Sequence, residues 1–321
     1  MRIAIFGPSK RFLSGISYYT IRLSNALSAH GEVKAIPMAS KVISQTSSPL
    51  NWMKLSVIVA TTPQRLQQLS LLLKSLDSQV HLPDEIILVT DKGKKDLIAS
   101  ELKNSRIKIV ESDGEGLSKA RNRGIMESIG DILIFIDDDV ILTDQNVFSK
   151  VLDAFQDEKI AVYGVQVKPR LKNSVKLPDQ FNWIFGCTDD EALRPVGAFF
   201  AVRREIFEKV GVFKEGLGRK KSSLISGEET EFFIRVEKLG LKIFLDSSVK
   251  VHHIVTNRGL KYVLRRSFAE GRSKARFKDY DLSVEKKYLI RYLKSPIGLV
   301  ISVITLLGFI FEKISLKVKK L

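Results

Sequence analysis

Residues 131–140, DILIFIDDDV, are the stretch on which the reading of the fold turns. The run from Ile132 to Ile136 has no polar face to offer water, so it predicts a strand covered on both sides at the centre of a sheet. Asp137, Asp138 and Asp139 follow at once, and three adjacent carboxylates repel one another unless a cation sits among them. Hard ions such as Mg²⁺ and Mn²⁺ take oxygen ligands and share them with substrate phosphates, so a nucleoside diphosphate is the natural third party. Alternate side chains of extended backbone share a face; Asp137 and Asp139 can therefore converge on an ion while Asp138 points elsewhere. An isolated acidic triplet also reads as a simple turn at a strand end.

Working outward, strands are expected over 55–60, 85–90, 107–110 and 132–136, with helices over 64–76, 94–102 and 117–128. Such alternation implies an α/β domain with a mixed, mainly parallel sheet flanked by helices. Ligands of open sheets collect beyond the carboxyl ends of the strands, where Thr61, Asp91, Asp113 and the triplet fall. Upstream, MRIAIF, a helical stretch ending at Gly31 and VKAIPM predict a short β-α-β appendage, and the polar Ser/Thr-rich segment 40–51 marks a boundary. The expected organisation is an appendage and linker over 1–50, a catalytic domain over 51–257, a basic helical segment over 258–294, and a hydrophobic helix with a basic tail over 295–321.

With 321 residues, 44% apolar and 27% charged, the chain can bury one large α/β core. Its single cysteine, Cys187, forms no internal disulfide, and Gly7-Pro8 interrupts the first apolar run, so no secretory signal is expected and the catalytic part is placed in the cytoplasm. Net charge is +16, of which +11 lies beyond residue 257, where 16 Lys/Arg face 5 Asp/Glu. No zinc spacing, helix-turn-helix pattern or RNP-like aromatic motif accompanies that charge, so nucleic acid is not the expected partner. An anionic membrane surface fits better. The 17 uncharged residues from Ser295 to Phe311 have Tyr288 and Tyr292 before them and Lys313, Lys317, Lys319 and Lys320 after. At about 1.5 Å per residue the run reaches roughly 25 Å, at the lower limit for crossing a hydrocarbon core, so it spans the membrane or lies in the interface. An ordinary buried helix is the other reading.

Four motifs appear in order: GEGLSKARNRGI over 114–125, DILIFIDDDV, GAFFAVRREIFEKVGVF over 197–213, and SGEETEFFIRVEKLGLKIF over 226–244. Together they closely resemble the family 2 glycosyltransferases of the GT-A fold, over roughly residues 55–255. The resemblance implies transfer of a sugar from a nucleotide donor to an acceptor hydroxyl with inversion at the anomeric carbon. Asp137 and Asp139 match the family's DxD, which holds metal and nucleotide, with Asp139 on the metal, Asp137 on ribose or metal, and Asp138 in a supporting nucleotide contact. Glu229 matches the second acid of the Glu-Asp motif, the base that takes the acceptor's proton; a Glu stands where Asp is usual, so Glu228 is the alternative. His252 is the preferred further metal ligand, with His253 beside it as the alternative. Thr61 and Arg65 match the nucleotide loop after the first strand, and Asp91 the second acid of a VDDGS-like turn whose first acid is replaced by Thr90, which leaves the base open. Arg121 and Asn122 match the helix facing the DxD, Arg121 as a diphosphate contact, and Gly197 and Ala198 the acceptor-side segment. The glycine-containing segment 216–227 is expected to order on donor binding. Segment 267–277 looks like the basic stretch of relatives that build cell-surface glycans, and could meet lipid phosphate. The first 20 residues resemble the start of a GT-B glycosyltransferase, though the next 30 cannot complete that domain.

The expected function is therefore an inverting, Mg²⁺- or Mn²⁺-dependent hexosyltransferase at the cytoplasmic face of the cell membrane, with a glycan or lipid-linked acceptor. A sugar-phosphate nucleotidyltransferase is the first alternative, against which stands the lack of a GGxGTRL-like loop after Ala60. A noncatalytic membrane-bound interaction protein is the second, against which stand both the acid triplet and the Glu pair.

Overall fold

The structure, a computed structural model, describes residues 3–7, 33–37, 53–102, 106–192, 194–220, 223–277, 292 and 295–318. The chain divides into two compact units, Met1–Trp52 and Met53–Leu321. In the first, β1 (Ile3–Gly7) and β2 (Val33–Pro37) pair in parallel. The helix expected between them lies outside the described residues.

The second unit is built on an eight-stranded sheet of order β5-β4-β3-β6-β9-β8-β10-β7. Its strands are β3 (Leu55–Ala60), β4 (Glu85–Thr90), β5 (Ile107–Glu111), β6 (Ile132–Ile136), β7 (Val140–Leu142), β8 (Ile160–Lys172), β9 (Phe199–Arg203) and β10 (Lys242–Thr256). β3 to β6 pair in parallel, as the alternating pattern predicts, whereas β9 enters antiparallel between β6 and β8, and β7 antiparallel beside β10. All five residues of β6 are buried, in keeping with its central place.

The helices α1 (Leu66–Asp77), α2 (Lys95–Ala99), α3 (Leu117–Glu127), α4 (Val147–Ala154), α5 (Arg204–Val210) and α6 (Glu228–Lys238) accompany the sheet. α1 starts two residues later than expected because Pro63 to Arg65 form a 3-10 turn, a place where proline's missing N–H costs nothing. One aromatic cluster joins strands to helices: Phe135 stacks on Phe200 at 4.8 Å, and Phe213 meets Phe135 edge-on at 5.4 Å. The chain runs from β3 to β4 on one side and later to β6 on the other. The order therefore switches between β3 and β6, where ligands of such sheets bind.

Beyond the sheet, α7 (Leu260–Ala275) carries α8 (Pro296–Val318), a helix long and apolar enough to cross a membrane. Only Gly298, Ile301, Gly308 and Glu312 of α8 are buried, a single stripe at helical spacing. The contact is close: a side chain at Gly271 would begin 1.8 Å from the Thr305 carbonyl oxygen, and one at Gly308 would begin 2.1 Å from that of Phe268. Glu312 sits in that contact between Arg272 Nε and Arg276 Nη2, each at 2.6 Å. Leu299, Val303, Leu306, Ile310 and Ile314 remain exposed on other faces.

Candidate active site

The triplet leaves β6 with its side chains divided. Asp138 turns inward, 4% exposed, and accepts hydrogen bonds from Thr61 Oγ1 at 2.8 Å and Arg65 Nε at 2.7 Å. Since Thr61 follows β3, this contact ties the two strand ends that flank the switch point. Burial pushes the Asp138 carboxyl up to about 6, against the pull of Arg65. Asp139 faces Arg65 Nη2 at 2.5 Å and His253 Nε2 at 2.8 Å. Burial alone would raise its carboxyl, but His253 and Arg65 hold it well below the usual range. The same pairing holds His253 above the ordinary histidine range despite its burial.

The histidine at the triplet is thus His253, where the sequence pointed to His252. Neighbours on a strand face opposite ways, and in β10 it is His253 that turns to Asp139 while His252 lies nearer Arg170, half-buried. Asp137, Asp139 and His253 each offer a ligand atom, all within 4.8 Å of one another. Two carboxylates and an imidazole at that spacing fit a divalent cation, with the Arg65 guanidinium alongside on Asp139.

Arg121, on α3, is 3% exposed and brackets three elements. Its Nη1 donates to Glu228 Oε1 at 2.7 Å, its Nη2 to the Gly197 carbonyl oxygen at 2.6 Å, and Nη2 lies 3.3 Å from Asp137 Oδ1. The guanidinium also rests over Phe200, 5.2 Å from the ring centre. Asn122 is turned to a packing task, both ends of its amide holding the backbone of Phe213.

Glu228 and Glu229 open α6, where negative charge suits the helix dipole. Glu228 is buried with Oε1 on Arg121 and, among the described residues, Oε2 without a hydrogen-bond partner. Glu229 borders the backbone of Gly197, where an added side chain would begin 3.3 Å from its carboxyl. Burial first, and the neighbouring Glu228 second, push the Glu229 carboxyl up to about 8.

Two clefts result. One, about 380 Å³, is lined by Thr61, Arg65, Asp91, all three triplet aspartates and His253. The other, about 350 Å³, is lined by Arg121, Gly197, Ala198, Glu228 and Glu229. Asp137, Leu117 and Arg219 line both. Sequence reasoning missed Arg219, whose only signal was its place in the glycine-containing loop before the Glu pair. Its backbone carbonyl accepts from Leu117 N at 3.0 Å at the start of α3. Burial works against its charge, but Tyr262, Asp137 and both glutamates raise its pKa, so it stays a cation.

Residues 56–211 match the family model described as glycosyl transferase family 2. That match spans just under half of the chain. Over 240 residues it is 24% identical to the glucosyl-dolichyl phosphate glucuronosyltransferase of Haloferax volcanii, covering 69% of this chain and 76% of that one. It is 30% identical over 159 residues to the O-antigen chain rhamnosyltransferase RfbN of Salmonella typhimurium, covering 44% of this chain and 50% of that one. Among solved structures it is similar in fold, with TM-score 0.51 and 15% identity, to a mannosyltransferase from Pyrobaculum calidifontis in complex with GDP-Man and Mn²⁺; the match covers 80% of this chain and 71% of that one. The sheet is GT-A-like, as the motifs imply, the matched segment is that of a glycosyltransferase of glycan synthesis, and Asp137, Asp139 and His253 are placed where they could hold a divalent cation.

Proposed function

We propose that the triplet cleft holds the nucleotide-sugar donor and the glutamate cleft the acceptor, and that a hexose passes between them with inversion where the two meet at Asp137 and Arg219. The observation that carries this is the shared wall: the acids suited to a cation and diphosphate stand on one side, and a carboxyl poised as a base on the other. Thr61 and Arg65 brace Asp138 and Asp139, and Asp91 lines the nucleotide end of the cleft. Asp137, Asp139 and His253 would hold Mg²⁺ or Mn²⁺, and such an ion would supply Lewis-acid stabilisation of the leaving diphosphate. Glu229 accepts the proton of the acceptor hydroxyl as its oxygen bonds to the anomeric carbon and the bond to the nucleotide breaks. A base of pKa about 8 is close to an ordinary working pH, where general-base catalysis is most effective. Arg121 acts as a positioning residue for Glu228 and the Gly197 backbone.

The acceptor is lipid-linked and the enzyme works at the cytoplasmic face of a membrane, with α8 lying in the interface. Its buried stripe and the Glu312 contact fix it along α7, leaving other apolar faces for lipid. The single cysteine suits a reducing compartment. A thermal-shift screen of UDP-, GDP- and TDP-sugars, each with and without Mn²⁺, tests the donor assignment. A Mn²⁺-dependent rise with one base is expected, followed by loss of that rise in Asp139→Ala; no response to any donor contradicts the reading.

A further inference from the structure

Segment 216–227 brings Arg219 to the place where the two clefts meet and runs directly into Glu228 and Glu229. Its described parts, 216–220 and 223–227, are held by the start of α3 and by the end of α7. From α3, Leu117 N donates to the Arg219 carbonyl at 3.0 Å and Ser118 Oγ donates to that of Leu217. At the end of α7, Arg276 Nη1 donates to the Gly216 carbonyl at 3.1 Å, and the buried Ser273 Oγ accepts from Ser226 N at 3.0 Å. Phe277 closes a small apolar cluster with Leu217 and Ile225, and a side chain at Gly227 would begin 2.7 Å from its ring. One turn of chain, from Ser273 to Phe277, thus holds both ends of the segment.

What orients that turn comes from α8. Nε and Nη2 of Arg276 both lie on Glu312 Oε1, at 2.7 and 2.6 Å, which leaves Nη1 of the planar guanidinium directed at Gly216. Glu312 is the only acid of α8, and it is 2% exposed. Apolar packing holds elements together as well as a buried ion pair or better, and the close approach of Gly271 and Gly308 already joins the two helices without charge. The carboxylate adds what packing does not, a fixed direction for Arg276. Arg272 meets the other oxygen, Nε to Oε2 at 2.6 Å, but makes no hydrogen bond to the loop among the described residues. Beside these bonds lies a cavity of about 350 Å³ lined by Gly216, Lys220, Ser223, Arg272 and Arg276, so the loop has room to shift once the Arg276 bond is lost.

We propose that Glu312 is a positioning residue for sugar transfer, acting through Arg276 to set where Arg219 and Glu229 stand, so that α8 frames the active site as well as meeting the membrane. This rests on the assignment of the two clefts above, and it adds to the reaction a residue that touches neither cleft.

The test compares Arg276→Lys, Arg272→Lys and Glu312→Gln with the wild-type full chain in detergent. Two readouts are taken: hydrogen exchange, and Mn²⁺-dependent hydrolysis of whichever UDP-, GDP- or TDP-sugar stabilises the wild type. Lysine keeps a charge facing Glu312 but cannot hold two partners with a planar fork. Arg276→Lys and Glu312→Gln should speed exchange over 214–220 and 223–229 at least tenfold, the worth of a charge-assisted hydrogen bond, and leave β3 and β6 unchanged. The same two variants should lower kcat at least tenfold with the donor KM altered less than threefold, since Thr61, Arg65 and the triplet supply donor contacts outside the loop. Arg272→Lys, the same exchange of charge carrier on the same carboxylate, should change each quantity less than threefold. If Glu312→Gln does not fold, the two lysine variants carry the test. Unchanged loop exchange in Arg276→Lys, equal effects of the two lysine variants, or a loosened loop with kcat intact each overturns the role. Wild-type protein that neither binds nor turns over any of these nucleotides defeats the donor reading and this role with it, whereas Arg276→Lys that turns over donor at the wild-type rate defeats this proposal alone.

Discussion

Replacing Arg121 by methionine tests whether this residue is the bracket described above or a contact to the donor's diphosphate. Methionine fills much of the space over Phe200 and Phe213 but removes the guanidinium that lies 5.2 and 5.9 Å from those rings. What is lost is the 2.7 Å bond to Glu228 and the 2.6 Å bond to Gly197, and what is left is a carboxylate only 2% exposed with neither oxygen paired to a cation. Breaking a buried ion pair on one side costs about 3–5 kcal/mol. At about 2–4 °C per kcal/mol for a domain of this size, the melting temperature should fall by roughly 6–20 °C. R121M/E228Q, which removes the stranded charge, should recover at least about half of that loss, as coupled neighbours do. Differential scanning fluorimetry with urea unfolding reads both effects. A fall of less than about 2 °C, or a double variant no more stable than R121M, refutes the bracket. A stable R121M that no longer binds nucleotide restores the diphosphate role.

Glu229→Gln should lower the transfer rate by about 10²–10⁴-fold. Because the Glu229 carboxyl is raised to about 8 and acts in its ionised form, the wild-type kcat/KM should climb as pH rises through 8 and then level off, and a profile flat from pH 6 to 9 contradicts the assignment. His253→Asn should abolish the Mn²⁺-dependent thermal shift, about 2.7 kcal/mol at a hundredfold excess over Kd, whereas His252→Asn should retain it; the reverse result returns the ligand to His252. L306K/I310K places charge on exposed positions of α8 and should prevent flotation with anionic vesicles at unchanged stability, while Gly308→Leu should destabilise the fold by driving α8 off Phe268. Vesicle binding that survives L306K/I310K sinks the membrane reading.

The parallel half of the sheet was legible because its signal is local: β3, β4 and β6 occupy the residues their apolar runs predict, and β5 is one residue longer. The division within the triplet was legible for the same reason, since alternation over three residues needs no partner. The histidine was not. β10 carries register irregularities against β8 between Lys242 and Ile243 and between Asp246 and Lys250, and each resets which face the following side chains occupy. Parity counted along that strand therefore cannot say which of two adjacent histidines turns to Asp139. Arg219 escaped for a different reason: a loop residue is placed by its backbone contact with Leu117, a hundred positions away in the chain, and no spacing encodes it.

The charge count at the meeting of the clefts explains why one carboxyl there is held ready. Asp137, Glu228 and Glu229 face two guanidiniums, Arg121 and Arg219. Arg121 commits its fork to Glu228 and the Gly197 carbonyl and stands 3.3 Å from Asp137, so two of the three acids have a cation within reach of a direct contact. Glu229 has none at that range among the described residues; burial and the adjacent Glu228 outweigh the more distant attraction of Arg121 and Arg219. The surplus acid is thus the one that keeps its proton near neutrality. It also borders Gly197, where any side chain would begin 3.3 Å from the Glu229 carboxyl and crowd it. On the reading proposed above, a site in which all three acids were paired would have no base to offer. The unequal sharing of two arginines among three carboxyls is what sets Glu229 apart from Glu228, which a reading of two consecutive glutamates cannot do.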